Sequence, residues 1–385
     1  PLALGAGVAL GNCGFTADEI GFLQGDKPVQ VGLEGAIDRA ELTKPGAEIL
    51  LQPQRQQRPH AEVFDGEFRA GLDQRVVIRA NVRRANLLRS GGVEPVQLPF
   101  GGKLDIYTPF ALKKEIKSFS PDIVFTWMNR ATDKCPQGRH KGNFVHVGRL
   151  GGYYNLKYYQ ACDHLIGNTE DIVEYLAKEG WPEDRAHYLP NFVSEEKAPP
   201  APRESFFTPQ RAPLLFAMGR FHENKAFDTL FRALFMIPDA YLLLAGDGPL
   251  RDDLEKLAES LAVKSRVRFL GWRDDTAALF AACDVFICPS RFEPLGNVVV
   301  EAWAQGVPVV AADSLGPGAL IEHMESGVLT PVDDPKSMAA AIKYVLEEPG
   351  FADQIAKAGR KAYEESFTEK AVIARYLDFF RKAAS

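Results

Sequence analysis

Short apolar runs alternate with amphipathic segments along most of the chain. The runs at 214–218, 240–245 and 285–288 are almost wholly apolar, and each is followed by a segment with apolar residues at helical spacing. Runs of this kind indicate strands that are covered on both faces, as in a parallel sheet. The pattern predicts an α/β fold of repeated strand–helix units, with helices on both faces of each sheet.

The second half of the chain gives the more regular series of predicted elements. Its predicted strands lie at 214–218, 240–245, 267–269, 285–288 and 309–311. Between and after them lie predicted helices, at 226–234, 250–261, 276–282, 297–305 and 335–347. This order predicts a doubly wound, Rossmann-like domain over residues 212–365.

The first half shows the same alternation with less regular spacing. Strands are predicted at 47–52, 75–78, 94–98, 122–127, 144–147 and 164–167, and helices at 81–89, 109–118 and 171–179. Residues 1–44 are rich in Gly and Ala and weakly periodic, so we expect an irregular extension there. The whole of 1–193 is predicted to form the first domain, which is also Rossmann-like.

Two further segments complete the predicted domain organisation. The stretch 194–211 contains Pro199, Pro200, Pro202 and Pro209, which is typical of a linker between domains. At the end of the chain, 366–385 has apolar residues at helical spacing, which predicts an amphipathic final helix.

The composition is that of a globular protein, but the charge is unevenly distributed. Hydrophobic residues make up 46% of the 385 residues and charged residues 25%, and the net charge is -6. The stretch 75–157 nevertheless contains 15 Lys and Arg against 5 Asp and Glu. The overall charge argues against a nucleic-acid-binding protein. The basic stretch either attracts phosphates or an anionic membrane surface, or only solvates the first domain.

The cysteines and the apolar runs indicate a cytoplasmic location. The five cysteines are an odd number and include no CxxC pair, which is typical of a reduced protein without a metal cluster. No apolar run reaches the length that a membrane-spanning helix needs, about 18 residues. The apolar start at 1–10 lacks a basic leader, so we predict no signal peptide.

Three motifs follow predicted strands of the second domain, where α/β sheets bind ligands. In the first motif, Gly219, Arg220 and Lys225 come after the strand at 214–218. Two cations beside the amino terminus of the next helix suit a diphosphate, because the side chains and the helix dipole both favour an anion. The alternative is that both cations are simply solvated on a loop.

The second and third motifs are GDGPL at 246–250 and RFEPLGNVVVE at 291–301. The two glycines of the second motif allow a tight turn and a close approach of backbone atoms. In the third motif, Glu293 follows the strand at 285–288, and Glu301 lies on the next predicted helix. Two carboxylates at this spacing can accept hydrogen bonds from sugar hydroxyls. The alternative assigns one glutamate to the surface and the other to a salt bridge.

The order of these motifs, completed by GVPVV at 306–310, resembles family 4 of the glycosyltransferases. The likeness is strong over 213–345 and moderate over 75–193. It implies the GT-B fold, in which two Rossmann-like, doubly wound domains face a central cleft. It also implies that the final helix crosses back to the first domain.

The resemblance implies a role for each motif residue. Arg220 and Lys225 would hold the donor diphosphate and stabilise it as it leaves, and Glu293 would contact hydroxyls of the transferred sugar. Glu301 would bind the ribose hydroxyls, and the base would lie near 269–272. The further donor-binding residues that the likeness implies are Gly219, Gly246, Gly248, Leu270, Leu295, Gly296, Asn297 and Val298.

In the first domain, the resemblance implies a catalytic histidine and the acceptor site. We expect His146 to end a strand that faces the cleft, with a satisfied histidine of the core as the alternative. Basic and aromatic residues close to predicted strand ends suit a phosphorylated glycan. These runs resemble those of bacterial transferases that build the lipopolysaccharide core. The candidate acceptor-binding residues in them are Arg130, Arg149, Tyr153 and Lys157.

The chain departs from the family at two places. Ala226 stands where the family has glycine, which is a small change. The loop after the strand at 47–52 reads PQRQQRPH and lacks the family's glycines. Either Arg55 and Arg58 take over the contacts of that loop, or residues 1–70 differ from the family.

The resemblance implies a retaining hexosyltransferase that moves a hexose from a UDP- or GDP-sugar to a glycolipid or oligosaccharide acceptor. No carboxylate nucleophile stands out in the first domain, so we expect front-face substitution rather than double displacement. Neither a metal nor a cofactor is expected, because no Asp-x-Asp pair or His/Cys cluster follows a strand. We expect a cytoplasmic protein that the basic first domain attaches to the inner face of the membrane.

Two other classes of function stay open. A sugar-nucleotide epimerase or hydrolase of the same fold would act on the donor without an acceptor, but it would need additional acid–base carboxylates. A non-catalytic sugar-nucleotide-binding module would share the fold, but the presence of Arg220, Lys225, Glu293 and Glu301 argues against it.

Overall fold

The computed structural model describes residues 47–53, 72–90, 92–102, 104–136 and 144–384, which form two compact units. The first unit contains the described residues up to Phe192, together with the last helix, Glu369–Ala384. The second unit is the continuous segment Val193–Thr368. The extension predicted at 1–44 and the loop with Arg55 and Arg58 lie outside the described residues.

A seven-stranded sheet forms the centre of the first unit, in the order β3-β2-β1-β4-β5-β6-β7. Its strands are β1 (Ala47–Pro53), β2 (Leu72–Arg79), β3 (Val96–Leu98), β4 (Ile123–Trp127), β5 (Val145–Leu150), β6 (His164–Gly167) and β7 (Ala186–Tyr188). The strand–helix alternation predicts an all-parallel sheet, which is wrong at β1: this strand runs antiparallel to both of its neighbours. The register pairs Pro53 with Leu72, and an antiparallel pair of this kind needs no crossover to the other end of the sheet.

The helices of the first unit cover both faces of this sheet. They are α1 (Val82–Ser90), α2 (Tyr107–Phe119), α3 (Met128–Lys134) and α4 (Glu170–Lys178). Side chains alternate between the two faces of a strand, and the core is divided accordingly. Val77 and Val124 pack with Leu112 and Ile116 of α2, while Phe125 belongs to the cluster on the other face.

The last helix of the chain covers the second of these faces. Val372, Tyr376 and Phe380 are buried in one cluster with Phe125 and Trp127 of β4. The rings of Phe380 and Phe125 form a T-shaped, edge-to-face contact at 5.7 Å between centroids. The end of the chain is therefore part of the core of the first unit.

A six-stranded sheet forms the centre of the second unit, and all of its paired strands run parallel. Its strands are β8 (Leu214–Met218), β9 (Tyr241–Ala245), β10 (Val267–Gly271), β11 (Val285–Cys288), β12 (Val309–Ala312) and β13 (Val328–Thr330). The order is β10-β9-β8-β11-β12-β13. The chain therefore reverses its direction across the sheet between β8 and β11, where open α/β sheets bind their ligands.

Seven helices of the second unit pack on the two faces of this sheet. They are α5 (Phe227–Phe235), α6 (Arg251–Ser260), α7 (Thr276–Ala282), α8 (Asn297–Gln305), α9 (Leu315–Leu320), α10 (Pro335–Glu347) and α11 (Phe351–Ser366). Leu215 and Ala217 of β8 point into one core cluster, and Leu214 and Phe216 point into the other. Among the helices that the structure describes, none is long and apolar enough to span a bilayer.

The stretch 194–211, which the sequence predicts to be a linker, belongs to the second unit. Phe206 is buried in the core of that unit, and the Arg203 guanidinium donates to the Asp284 carboxylate at 2.7 Å. The two ends of the second unit also meet. The Val193 N–H donates to the Phe367 carbonyl at 3.1 Å, and the Tyr363 hydroxyl donates to the Val193 carbonyl at 2.8 Å.

Candidate functional site

Three turns at the carboxyl edge of the second sheet carry the sequence motifs. They follow β8, β9 and β11, which include the two strands on either side of the chain reversal. Carboxyl ends of parallel strands share one edge of a sheet, so motifs that are far apart in sequence meet there.

The turns after β8 and β9 touch through their backbones. Gly246 has φ +126°, and a Cβ atom on it would lie 1.9 Å from the Gly219 carbonyl oxygen. A Cβ atom on Gly248 would lie 2.6 Å from the Phe221 carbonyl oxygen. The N–H of Gly246 also donates to the Gly271 carbonyl at 2.7 Å, which brings the end of β10 to the same place. Only glycine allows this approach, as the sequence predicts.

Lys225 ends a single 3₁₀ turn between β8 and α5. Its aliphatic stem lies against Gly219, where an added Cβ would be 3.0 Å from the lysine Cε. Ala226, which precedes α5, has φ 49°. This left-handed backbone explains why a glycine suits the position, since a Cβ there costs about 1–2 kcal/mol. The turn directs the lysine inward, and its side chain is only 2% exposed.

Lys225 and Glu293 form a buried ion pair. The ammonium donates to the Glu293 carboxylate at 2.5 Å, and the Glu293 side chain is 1% exposed. An ammonium carries three donors, and this bond uses one of them. The two residues are 68 positions apart. They come from the turns after β8 and β11, so the pair joins the two strands that flank the reversal.

Glu301 places a second carboxyl group close to this pair. It lies in the middle of α8, is 9% exposed, and its Oε1 has no hydrogen-bond partner among the described residues. Burial raises the pKa of Glu301 to about 8; the charge of Lys225 opposes the shift and that of Glu293 adds to it. At neutral pH this carboxyl group is therefore mostly protonated and can donate a hydrogen bond as well as accept one.

The loop before α8 also requires glycine. Gly296 caps the helix with φ 65°, and a Cβ on it would lie 2.6 Å from Leu320 of α9. The N–H of Gly316 donates to the Glu293 carbonyl at 2.7 Å, which fixes the backbone of that glutamate. The neighbouring residues of the predicted donor set are buried here: Leu295, Asn297 and Val298.

The remaining predicted donor residues border the same edge. Arg220 is half-buried on the turn after β8. Leu270 is half-buried on β10 and packs on the core. Trp272, which follows β10, is 55% exposed. The structure thus brings Gly219, Lys225, Gly246, Glu293, Gly296 and Glu301 to one edge, while the roles implied for them stay predictions.

Arg291 is a residue of this site to which the sequence assigns no role. Its guanidinium donates to both carboxylate oxygens of Asp228 on α5, at 2.9 and 2.7 Å, and pairs with Asp333 at 2.6 Å. Its backbone N–H donates to the Asn224 carbonyl at 2.8 Å. Burial opposes ionisation of Asp228, but the bonds and charge of Arg291 still lower its pKa. Arg291 therefore ties the loop of Glu293 to the turn of Lys225.

The prediction that His146 ends a strand is wrong. β5 runs on to Leu150, so His146 lies at its amino-terminal end. The predicted strand ends before Gly148, but this glycine lies inside β5. A Cβ atom on it would lie 2.9 Å from Tyr159 and 2.9 Å from Leu165. The His146 side chain is fully buried, with Nε2 3.0 Å from the Thr126 hydroxyl. Burial lowers its pKa to about 4, as expected of a core histidine.

Arg149 is buried as well, at the carboxyl end of β5. Its guanidinium lies 4.3 Å from the centroid of the Trp127 ring and donates to the Tyr376 hydroxyl at 3.2 Å and to the Asn191 side chain. The bond to Tyr376 fastens the last helix, Glu369–Ala384, to the sheet. Arg149 therefore has a structural role, in addition to the acceptor-binding role predicted for it.

The other predicted acceptor residues have separate partners. The Arg130 guanidinium donates to the Phe100 carbonyl at 3.3 Å. The Tyr153 hydroxyl donates to the Asp171 carboxylate on α4, and this bond and burial both raise the Tyr153 pKa. Lys157 is exposed, with its ammonium 4.9 Å from the centroid of the Tyr158 ring. The structure assigns these residues to different elements rather than to one cluster.

A set of buried polar atoms marks the carboxyl edge of the first sheet instead. Trp127 ends β4, Asn168 follows β6, and the register aligns these strand ends across β5. Trp127 Nε1, Asn129 Oδ1, Tyr154 Oη and Asn168 Oδ1 are buried and have no hydrogen-bond partner in the described part of the chain. Buried polar groups are nearly always paired, so these four atoms require water or a ligand. No periodicity in the sequence indicates them.

The direction of β1 determines at which edge of the first sheet this strand ends. Because it is antiparallel to β4, it ends at Pro53 beside the start of β4. The carboxyl end of β1 therefore lies at the opposite edge of the sheet from the carboxyl ends of β4, β5 and β6, which are parallel to one another.

A family model matches part of the second unit, and two curated relatives match more than two thirds of the chain. The family model described as "Glycosyl transferases group 1" matches residues 201–362. The lipopolysaccharide core biosynthesis glycosyltransferase LpsE of Rhizobium meliloti (strain 1021) is 37% identical over 273 residues, which are 71% of this chain and 79% of LpsE. LpsD of the same organism, with the same description, is 33% identical over 275 residues, with the same two coverages.

A solved structure shows the same fold. Anabaena Alr3699/HepE, crystallised in complex with UDP and glucose, superposes with a TM-score of 0.67 at 22% identity, covering 79% of this chain and 90% of that one. The fold is therefore GT-B, built of two Rossmann-like units. The relatives share the description glycosyltransferase and the association with lipopolysaccharide core biosynthesis.

Proposed function

The chain belongs to the group 1 glycosyltransferases, and from that premise we propose that it is a retaining, metal-independent hexosyltransferase of family 4. It takes the hexose from a UDP- or GDP-sugar and transfers it to a glycolipid or oligosaccharide acceptor of the lipopolysaccharide core or another cell-envelope polysaccharide. The single observation that carries the proposal is the buried Lys225–Glu293 pair, with the Glu301 carboxyl group beside it, at the reversal point of the second sheet.

The donor assignment follows from the charges and glycines at this edge. Lys225 and Arg220 supply positive charge next to turns whose glycines let the backbones after β8 and β9 come together at this edge. The bond from Lys225 fixes the Glu293 carboxyl group in a buried position, where its oxygens can accept hydrogen bonds from sugar hydroxyls. The complex of HepE with UDP and glucose supports a nucleotide-sugar donor for a chain of the same fold.

Glu301 is assigned to the ribose of the donor. Its raised pKa gives it a proton near neutral pH, so one oxygen can donate to a ribose oxygen while the other accepts from a hydroxyl. A ribose diol offers both partners. An ionised pair of carboxylates this close together would instead repel, which is why burial and the charge of Glu293 both favour the neutral form of Glu301.

The chemical step that we propose is substitution on one face of the sugar. The bond between the anomeric carbon and the diphosphate oxygen breaks with its electron pair going to the diphosphate. The acceptor oxygen forms its bond to the same face, and its proton passes to an oxygen of the leaving diphosphate. Lys225 and Arg220 stabilise the charge that develops on the diphosphate, so the step needs neither metal nor cofactor.

The acceptor is assigned to the carboxyl edge of the first sheet. The buried polar atoms of this edge are an indole N–H that donates, a phenol hydroxyl that can donate or accept, and two amide oxygens that accept; they belong to Trp127, Tyr154, Asn129 and Asn168. Hydroxyl-rich sugars satisfy such a set, and indole and phenol rings offer faces on which sugars pack. The descriptions of LpsE and LpsD support an acceptor from the lipopolysaccharide core.

Incubation of the full chain with radiolabelled donors tests the proposal. UDP-glucose, UDP-galactose, UDP-N-acetylglucosamine and GDP-mannose are each supplied with and without a core glycolipid, in buffer containing EDTA. Label that moves to the glycolipid, with retained anomeric configuration by NMR, is the expected result. Inverted products or activity abolished by EDTA would contradict the mechanism. Donor cleaved or isomerised equally well without acceptor would favour an epimerase or hydrolase, and binding without turnover a non-catalytic module.

A further inference from the structure

Four large apolar side chains of the first unit project into solvent from one short segment. Leu104 is 95% exposed, Ile106 85%, Tyr107 60% and Phe110 69%. We call these four residues the apolar patch. Single exposed apolar residues are common on protein surfaces, but a contiguous group marks an interaction site. The patch spans the loop before α2 and the first turn of that helix.

The patch is held outward by hydrogen bonds of the loop. The Asp105 carboxylate, which lies between Leu104 and Ile106 in sequence, accepts from the Gly101 N–H at 2.6 Å and from the N–H and hydroxyl of Thr108 at 2.9 and 2.6 Å. These bonds, the one from the Thr108 hydroxyl first, lower the pKa of Asp105 to about 2 although burial opposes them. Because Asp105 turns inward, its two apolar neighbours are presented to solvent.

The outward face of α2 continues the patch with positive charge. Thr108, Leu112 and Ile116 form the buried face of the helix. Helical spacing places Phe110, Lys114 and Lys117 on the opposite side, with Lys113 next to them, and all three lysines are exposed. The acidic residue of the helix, Glu115, lies off this face and pairs with Arg75 at 3.0 Å. The helix thus presents apolar side chains followed by a cluster of cations.

The patch lies at the carboxyl edge of the first sheet. It follows β3, which runs parallel to β2. The first residue of α1 after β2, Val82, is itself 75% exposed at this edge. The loop of the patch is also braced from α3, since the Arg130 guanidinium donates to the Phe100 carbonyl and Lys134 to the Asp105 carbonyl at 2.9 Å. The buried polar atoms assigned to the acceptor belong to the same edge of the same sheet.

We propose that the apolar patch and the lysines of α2 dock the protein on an anionic lipid bilayer, with Leu104, Ile106 and Phe110 inserted at the level of the headgroups. The occupant is identified by its chemistry. Apolar side chains next to a row of cations match acyl chains beneath anionic headgroups, whereas a protein partner would need a complementary surface of its own. The inference rests on the proposed function in one respect, that the acceptor is a glycolipid carried by such a surface.

Flotation with vesicles tests the apolar part. The full chain is mixed at low salt with vesicles of phosphatidylcholine and phosphatidylglycerol, or of phosphatidylcholine alone. We expect it to float with the anionic vesicles, and the triple variant Leu104→Ser, Ile106→Ser, Phe110→Ser to bind at least about tenfold more weakly, since each buried side chain is worth more than a factor of ten in this equilibrium. The matched control is Phe207→Ser with Phe235→Ser, two exposed phenylalanines of the second unit.

Charge is tested separately. Lys113→Gln, Lys114→Gln and Lys117→Gln together should weaken binding to anionic vesicles and reduce its dependence on salt. The control replaces exposed lysines elsewhere, Lys178, Lys361 and Lys382, by glutamine. Failure of the wild-type chain to float, or equal flotation of wild type and the patch variant, overturns the proposal. So does a wild-type dimer in analytical ultracentrifugation that the patch variant turns into a monomer, because a second copy would then be the occupant.

A transfer assay with detergent-dispersed acceptor distinguishes this proposal from the proposed function. The patch variant should keep full transfer to the dispersed acceptor and lose transfer to acceptor embedded in vesicles. A chain that transfers sugar in detergent but never floats retains the function and overturns the docking. A chain that floats but transfers nothing in either assay retains the docking and contradicts the function.

Discussion

At the residue scale, the buried pair of Lys225 and Glu293 should contribute both to the stability of the fold and to turnover. Lys225→Ala should lower turnover about 10²-fold or more, as for loss of one donor in an oxyanion hole. It should also lower the free energy of unfolding by about 3–5 kcal/mol, because Glu293 is left charged and buried. Both are measured, by initial rates and by urea denaturation.

Arg220 provides the matched comparison. It is half-buried and outside the Lys225–Glu293 pair, so Arg220→Ala leaves that pair intact and should cost a similar factor in turnover with a smaller loss of stability than Lys225→Ala. The double variant Lys225→Met, Glu293→Gln should regain most of the stability lost by Lys225→Ala while staying inactive. Near-wild-type turnover in either Lys225→Ala or Arg220→Ala would contradict the assignment of the diphosphate.

Glu301 makes the stability of the ligand-free protein depend on pH. Its pKa is about 8 in the folded protein, against an ordinary value of 4.5. Between these values the folded chain retains a proton that the unfolded chain loses, so stability falls as pH rises through this window, by up to about 1.4 kcal/mol per pH unit. Glu301→Gln should lack this slope. Urea denaturation at pH 5 to 8 measures both, with the exposed Glu347→Gln as control; parallel profiles for wild type and Glu301→Gln would exclude the shift.

At the scale of elements, the contact between the turns after β8 and β9 sets the shape of the donor edge. Gly246→Ala adds a clash with the Gly219 carbonyl to the strain of a positive φ. Gly306, which ends α8, also has a positive φ, 73°, but open space around it. Gly306→Ala should therefore cost only the strain, about 1 kcal/mol, and Gly246→Ala about 3 kcal/mol or more.

Donor binding separates the two glycine variants further. The thermal shift that UDP-sugars produce should persist in Gly306→Ala and be lost or reduced in Gly246→Ala, because only the second change displaces the turn that carries Lys225. Equal destabilisation of the two variants, with equal thermal shifts, would show that the contact between the turns after β8 and β9 matters neither for stability nor for donor binding.

The elements of the second unit could be predicted from the sequence almost to the residue. The strand Val285–Cys288 and the helices Thr276–Ala282, Asn297–Gln305 and Pro335–Glu347 begin and end where their patterns predict. Each is a short apolar or amphipathic segment bounded by Gly, Pro or Asp, so local signals determine it. Three elements of this unit are not predicted: the short helix Leu315–Leu320, the strand Val328–Thr330 and the helix Phe351–Ser366, although the buried face of the last is regular.

The first unit and its site were less predictable because long-range pairing determines them. The direction of β1 depends on its partners, and the extent of β5 depends on residues that pack around Gly148. The donor motifs could be found because each is local, but the bond between Lys225 and Glu293 joins residues 68 positions apart. The exposure of Ile106 and Phe110 contradicts the rule that large apolar residues are buried, and only the structure reveals it.

At the scale of the whole molecule, the last helix should decide whether the first unit folds. A chain that ends at Thr368 lacks Val372, Tyr376 and Phe380 and leaves Phe125 without its cover. We expect the first unit of this truncated protein to be cleaved rapidly by trypsin, while the second unit persists as a resistant fragment. Tyr376→Phe removes only the bond from Arg149 and should cost about 1 kcal/mol. Intact protection of the truncated first unit would show that the last helix is dispensable.

The meeting of the two ends of the second unit has a consequence for how such enzymes diversify. Val193 and Phe367 are hydrogen-bonded, so the whole segment Val193–Thr368 enters and leaves the surrounding chain at one place. The two parts of the first unit, before and after this segment, are therefore joined at the same short distance whichever segment is inserted between them. We therefore expect a homologous segment to be exchangeable through these two junctions, as a cassette; under the proposed function, such a chimera would change its donor sugar and keep the acceptor of its parent.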